Sequence, residues 1–272
     1  MYNHETIKSR DNAKLKFARR VRDGKETEHI FIEGSRLCEE AVSSDMLVTT
    51  AFMSATFHAS EPGTHLQQAL KKTNADMYLV SDSLLGSIAD TKTPQGIVLI
   101  GGRPKSRGLN DLFSTEHTNR LMPLWIYLYE INNPSNLGAV IRTAEAAGAM
   151  GVIVSPNSAD PFSPKSLRAS MGSAFRVPAV QDIGIEYVLQ AARQKGIRTL
   201  AVDAHGEKSY LGVDWKTPSL LVFGSEAHGL AADVLSRVDE RVKIPMNGNV
   251  ESLNLAVSTA IILFETKRHF QS

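Results

Sequence analysis

The chain carries one cysteine, Cys38, among 272 residues, so no intrachain disulfide and no multi-cysteine zinc site can form. Cys38 itself reads as a buried helix residue. The eight histidines are scattered with no His-x-x-x-His or comparable spacing, and no metal is expected. Long apolar runs are also missing. No stretch approaches the roughly 18 to 20 apolar residues of a membrane-spanning helix, and Met1-Tyr2-Asn3-His4-Glu5 lacks the apolar core of a signal peptide, which points to a cytoplasmic protein with no membrane partner. Neither Gly-x-Gly-x-x-Gly after a strand nor Gly-x-x-x-x-Gly-Lys-Ser/Thr occurs, which removes the two common nucleotide-binding loops. Gly224-Ser225 departs from Gly-x-Ser-x-Gly, so Ser225 is a poor nucleophile. Glu226 and His228 stand two apart at a tight turn, a spacing that rarely holds a nucleophile, base and orienter, so a hydrolytic site with Ser252 is disfavoured.

What is present is an ordinary globular composition, 42% hydrophobic and 22% charged, in a length that favours two domains. The net charge of +1 hides an asymmetry. Lys8, Arg10, Lys14, Lys16, Arg19, Arg20, Arg22 and Lys25 crowd the first segment, and the cluster reads either as a solvated helix face or as a surface for an anionic polymer. Leu15, Ala18 and Val21 recur at helical spacing, which predicts an amphipathic helix from Ser9 to Arg22.

Strand and helix patterns then alternate: strand 29–34, a helix capped by Ser35, strand 47–53, helix 64–72, strand 77–80, helix 82–89 and strand 96–100. This is a small α/β domain over residues 1–104. Gly101-Gly102-Arg103-Pro104-Lys105-Ser106-Arg107-Gly108 has no periodicity and opens a linker assigned to 105–120. From 121 to 272 a second α/β domain is expected. Its first strand, Leu124-Trp125-Ile126-Tyr127-Leu128-Tyr129, is apolar on both faces, as in a parallel sheet. Further strands are read at 151–155, 177–180, 198–202, 219–223 and 241–244, with a helix over 137–147, another led by Pro164, and a last helix over 253–270.

Three polar clusters stand out in the second domain: Asn132-Asn133-Pro134-Ser135-Asn136-Leu137-Gly138 with Arg142, then Gly224-Ser225-Glu226-Ala227-His228-Gly229-Leu230, then Ile244-Pro245-Met246 with Glu251-Ser252-Leu253-Asn254. Each alone reads as a turn with a helix cap, Asn133, Ser225 and Ser252 doing the capping. In this order they resemble the motifs of the SpoU (TrmH-like) branch of the SPOUT RNA methyltransferases, over roughly Pro123 to Phe270. The preceding chain, with Ile7-x-Ser9-Arg10-x-Asn12 and Phe31-x-Glu33-Gly34, is similar to the smaller ribosomal-protein-like RNA-binding domain that many members carry.

The resemblance implies a parallel-sheet methyltransferase domain with a C-terminal trefoil knot, a homodimer, S-adenosylmethionine as donor, and transfer to a ribose 2′-hydroxyl in structured RNA. Ribosomal RNA is placed ahead of transfer RNA because of the added N-terminal domain. A transfer RNA ribose methyltransferase and a non-catalytic RNA-binding or ribosome-assembly protein on the same fold remain as alternatives. By the same resemblance the cofactor is held by Leu200, Val202, Phe223, Gly224, Ser225, Gly229, Ile244, Pro245, Met246, Ser252 and Leu253. Catalysis is carried by Asn136, Arg142, Glu226, Ser252 and Asn254. Arg142 is expected to grip a phosphate and steady the forming alkoxide, with its plane held by Glu226. RNA phosphates are assigned to Lys14, Lys16, Arg19, Arg20, Arg103, Lys105, Arg107, Lys165 and Arg168, which implies strongly salt-dependent binding.

Overall fold

The computed structural model describes residues 5–105, 108–114, 122–248 and 250–271. The chain separates into two units, Met1–Lys105 with Phe162–Phe175, and Ser106–Pro161 with Arg176–Ser272. The segment Phe162–Phe175 thus belongs by its contacts to the N-terminal unit, although it lies far along the chain in the stretch read as the second domain.

In the N-terminal unit five strands form one mixed sheet: β1 (Glu5–Ile7), β2 (His29–Glu33), β3 (Val48–Ser54), β4 (Asp76–Val80) and β5 (Ile97–Gly102), in the order β1-β4-β3-β5-β2. β1, β4 and β3 run parallel, whereas β5 is antiparallel to both β3 and β2. The first helix spans Ala13–Arg22 and buries Leu15, Ala18 and Val21 against Phe31, Phe52 and Ile100. It starts later than the apolar spacing suggests, because the Asn12 side chain accepts the Lys14 N–H at 2.8 Å and so fixes the cap. Cys38 is fully buried on helix Ser35–Ser43, where burial pushes its thiol pKa well above the ordinary value.

Among the described residues the second unit holds seven strands, all parallel: β6 (Met122–Leu128), β7 (Ala149–Val154), β8 (Ala179–Val180), β9 (Arg198–Val202), β10 (Lys208–Ser209), β11 (Ser219–Phe223) and β12 (Glu240–Lys243), in the order β10-β12-β9-β11-β6-β7-β8. Every residue of β7 and β11 is buried, which is why these strands read as unbroken apolar runs. Register decides where the site falls. Val202 lies opposite Phe223 on one side and Val242 on the other, so β9, β11 and β12 end level at one edge of the sheet. In open parallel sheets that carboxyl edge is where ligands sit.

Two helices pack beside this edge. Pro134–Ala147 follows β6 with the Asn133 side chain as its cap, accepting the Ser135 N–H at 2.9 Å. The last helix, Leu255–Gln271, lies against it, and its Lys267 Nζ donates to the Ala146 carbonyl at 2.8 Å.

Candidate active site

β11 ends in Phe223, and the chain must then reverse within a few residues. A Cβ on Gly224 would stand 2.2 Å from the carbonyl carbon of Gly229 and 2.5 Å from the Leu230 nitrogen. No side chain is tolerated there, because the returning strand of the turn fills the space. Ser225 and Gly229 close the turn by exchanging backbone hydrogen bonds of 3.1 and 2.9 Å, and the Ser225 hydroxyl accepts the His228 N–H at 3.2 Å. Glu226 is thereby held out from the sheet edge, exposed beside the first turn of helix Pro134–Ala147.

Three side chains from three parts of the sequence meet there. Asn254 donates through Nδ2 to Asn136 Oδ1 at 3.2 Å, and Asn136 donates through its own Nδ2 to Glu226 Oε1. Asn254 Oδ1 accepts the N–H groups of Ala256 at 2.9 Å and Val257 at 3.4 Å, so it also caps the last helix. The carboxylate of Glu226, which can only accept, fixes which way the Asn136 amide faces, and the capping role of Asn254 fixes the other end.

This chain of amides borders a cavity of about 610 Å³ at the ends of β9, β11 and β12. Val202, Phe223, Leu230, Ile244, Met246 and Leu253 supply apolar wall, while Asp203, Ser225, Glu226, Ser252 and Ser258 supply polar groups. The volume and the mixture suit a small molecule with a flat apolar part and a zwitterionic or sugar-like part. Asp203, just past β9, accepts from Arg241 Nη2 at 2.7 Å and from the His205 N–H at 3.1 Å. Burial alone would raise its carboxyl pKa. The Arg241 and His205 hydrogen bonds and their charges outweigh burial and hold it below the ordinary value.

Of the residues expected to hold a cofactor, Val202, Phe223, Gly224, Ser225, Gly229, Ile244, Met246, Ser252 and Leu253 line the cavity. Leu200 does not: it is wholly buried in the middle of β9. Pro245 does not line it either. Asn136, Glu226, Ser252 and Asn254 are brought together, but Arg142 is not with them. It stands six positions after Asn136, which on a helix is about 9 Å along the axis and about 120° away around it. Its side chain is exposed, with no ion pair or hydrogen bond among the described residues. The expected Glu226–Arg142 pair is therefore corrected: the Glu226 carboxylate is taken by Asn136.

The cations assigned to RNA are mostly occupied within the chain. Lys14 pairs with Asp76 at 3.5 Å and lies over the Tyr78 ring, Lys16 pairs with Asp11 at 3.1 Å, and Arg20 pairs with Glu26 at 2.7 Å. Arg19 donates to the Arg10 carbonyl at 2.8 Å, Arg103 lies over the Phe162 ring, and Arg168 pairs with Asp90 at 2.6 Å. Lys105 and Lys165 are exposed and unpaired among the described residues. Arg107 lies outside the described residues, as does half of the linker read at 105–120.

Residues 123–264, just over half of the chain, match the SpoU rRNA Methylase family. The chain belongs to the SpoU rRNA methylase family. Residues 10–99 match the MRM3-like substrate binding domain. Among SpoU relatives, the 23S rRNA (guanosine(2553)-2'-O)-methyltransferase RlmP of Bacillus subtilis is 28% identical over 264 residues, covering 96% of this chain and 98% of that protein. The crystal structure of an AdoMet-bound rRNA methyltransferase from Sinorhizobium meliloti superposes with a TM-score of 0.85 at 28% identity, over 98% of this chain and 99% of the other. That of the SpoU methyltransferase AviRb from Streptomyces viridochromogenes with AdoMet gives 0.84 at 28% identity, over 96% and 99%.

Several residues of this SpoU cavity escape a reading of the sequence. His205, Leu255 and Ser258 line it but carry no motif of their own. The level ends of β9, β11 and β12 would have pointed to His205. Leu255 and Ser258 follow from the cap at Asn254, since one helical turn beyond a capped mouth still faces it. Among the described residues no group of three or more His, Cys, Asp or Glu converges on a metal site, and no helix is long and apolar enough to cross a membrane.

Proposed function

We propose that this chain transfers a methyl group from S-adenosylmethionine to a ribose 2′-hydroxyl of RNA, with ribosomal RNA ahead of transfer RNA, in the cytoplasm. The observation that carries the reading is the Glu226–Asn136–Asn254 chain at the lip of a mixed cavity. When bound, S-adenosylmethionine supplies an electrophilic methyl group on a sulfonium. The walls of Val202, Phe223, Ile244 and Leu253 offer apolar contact, and the backbone of the Gly224–Leu230 turn offers donors and acceptors to the polar part. A ribose hydroxyl is a very weak acid, so the protein must orient it and stabilise the charge that develops on its oxygen. In this reading Asn136 and Ser252, which line the cavity, orient the ribose. Glu226 keeps the Asn136 amide turned the productive way.

Arg142 fits this scheme through a second copy of the chain. On helix Pro134–Ala147 it shares one side with the half-buried Ser135 and Ala139 and the exposed Ala146, and the neighbouring last helix exposes Val257 and Phe264. We infer a homodimer through this face, in which the guanidinium reaches the partner's cavity and meets phosphate or alkoxide. The same proposal includes the C-terminal trefoil knot, an N-terminal substrate domain over 1–104, a linker over 105–120 and a methyltransferase domain over 121–272. RNA recognition falls to the N-terminal part, and discrimination against DNA to the acceptor hydroxyl.

The test is methyl transfer from labelled S-adenosylmethionine to deproteinised 23S rRNA and, separately, to unfractionated transfer RNA, with the product mapped by nuclease digestion and mass spectrometry. A 2′-O-methyl nucleotide in the ribosomal RNA is the expected result. A methyl group on a base, or none on either RNA, overturns the reading.

A further inference from the structure

Between helix Asp82–Ile88 and β5 the chain runs through Ala89-Asp90-Thr91-Lys92-Thr93-Pro94-Gln95-Gly96. Connections of this length are usually left to local turns, yet this one is held from several directions. Arg22 Nη1 donates to the carbonyls of Ile88 and Ala89 at 3.2 and 3.1 Å. Glu33, at the end of β2, is 4% exposed, and its carboxylate accepts the N–H of Asp90 at 2.7 Å, the N–H of Thr91 at 3.2 Å and the Thr91 hydroxyl. Gln95 Oε1 accepts the Ser35 N–H at 2.9 Å, and Arg168 Nη2 donates to Asp90 at 2.6 Å. Gly96 has φ 83°, and a Cβ there would lie 2.6 Å from the Phe57 Cβ.

Burying a carboxylate to hold backbone N–H groups costs free energy that a simple connection does not need. The ties leave Lys92 and Thr93 exposed at the tip. Arg36 follows Ser35, whose N–H is bonded to Gln95, and Lys165 stands one turn before Arg168 on the same helix; both are exposed. Lys92, Arg36 and Lys165 have no ion pair or hydrogen bond among the described residues, and the nearby Asp90 is already neutralised by Arg168. The first helix differs in this respect, since Lys14, Lys16 and Arg20 each have an acid.

We propose that this loop, rather than the basic first helix, is the RNA-contacting surface of the N-terminal unit. Lys92, Arg36 and Lys165 contact phosphates, and Glu33 is the positioning residue that fixes the loop before RNA arrives. The inference rests on the RNA methyltransferase reading above. A loop fixed in advance loses little entropy on binding, and three cations without acidic partners form a site for a polyanion.

The experiment compares three proteins for binding to deproteinised 23S rRNA over a range of salt: wild type, the triple variant Arg36→Ala/Lys92→Ala/Lys165→Ala, and the pair Lys16→Ala/Arg20→Ala. Lys92→Glu serves as a single-charge check, and S-adenosylmethionine binding shows that each variant is folded. For the triple variant the slope of log affinity against log salt is expected to fall by about 2 to 3, near one per lost phosphate contact, while the first-helix pair keeps the wild-type slope. A wild-type slope in the triple variant, or a loss confined to the first-helix pair, overturns the inference. If wild type methylates the RNA and the triple variant matches it, only this inference falls. If wild type neither binds nor methylates RNA, the functional reading falls with it.

Discussion

At Asn136 one amide joins two ends of the sequence: its oxygen faces Asn254 and its nitrogen faces Glu226. Asn136→Ala removes both bonds without disturbing the apolar wall. Methyl transfer should fall on the order of 100-fold, the usual loss for one preorganised polar group at a reacting centre, while S-adenosylmethionine binding by calorimetry persists. Equal loss of cofactor affinity would move Asn136 to the donor side. Asp203 gives a second test at this scale. Its folded pKa is held below the ordinary 3.8, so its pair with Arg241 stabilises the fold at neutral pH. That stability is lost only as pH falls through the lowered folded value. The melting difference between wild type and Asp203→Asn should be full at about pH 7 and shrink below about pH 4; a difference that grows with acid would contradict the assigned sign.

At the scale of elements, Asn254 does two jobs that substitution can separate. Asn254→Ala removes the cap of helix Leu255–Gln271 and should cost about 1 kcal/mol of stability, together with methyl transfer. Asn254→Asp keeps a capping oxygen but has no donor for Asn136, so the melting temperature should hold while transfer is lost. If Asn254→Asp is fully active, the Asn254–Asn136 bond has no part in turnover. The same residue shows what the sequence conceals. The interior strands β9 and β11 are legible to the residue because burial on both faces leaves the apolar runs Leu200–Val202 and Leu220–Phe223 at their carboxyl ends. Helix starts are less legible, since Asn12 and Asn254 set them by side-chain caps that compete with apolar spacing. β1 and β10, with three and two residues, are too short to show alternation. That Asn136, Glu226 and Asn254 meet was readable only through the family's motif order, and the 120° separation of Arg142 from Asn136 follows from helix geometry once both are on one helix. The contacts of Phe162–Phe175 with the N-terminal unit are tertiary and leave no local pattern.

For the whole molecule, the last helix presents Val257 at 48% and Phe264 at 49% exposure, side by side at helical spacing. Large apolar side chains repeated on one exposed face mark an association surface more than a solvated one. If a second copy covers this face, Phe264→Asp should yield a monomer by light scattering and lose methyl transfer. A sharper test follows from the separation of Arg142 from its own cavity. Subunits with Arg142→Ala and subunits with Asn136→Ala should each be inactive alone. When they are dissociated, mixed in equal amounts and reassociated, half of the two-fold dimers pair one of each and carry one intact site, so about a quarter of wild-type activity should return. The intact site combines Asn136 of one subunit with Arg142 of the other. If Arg142 served its own cavity, no mixed dimer would contain a complete site and the mixture would stay inactive.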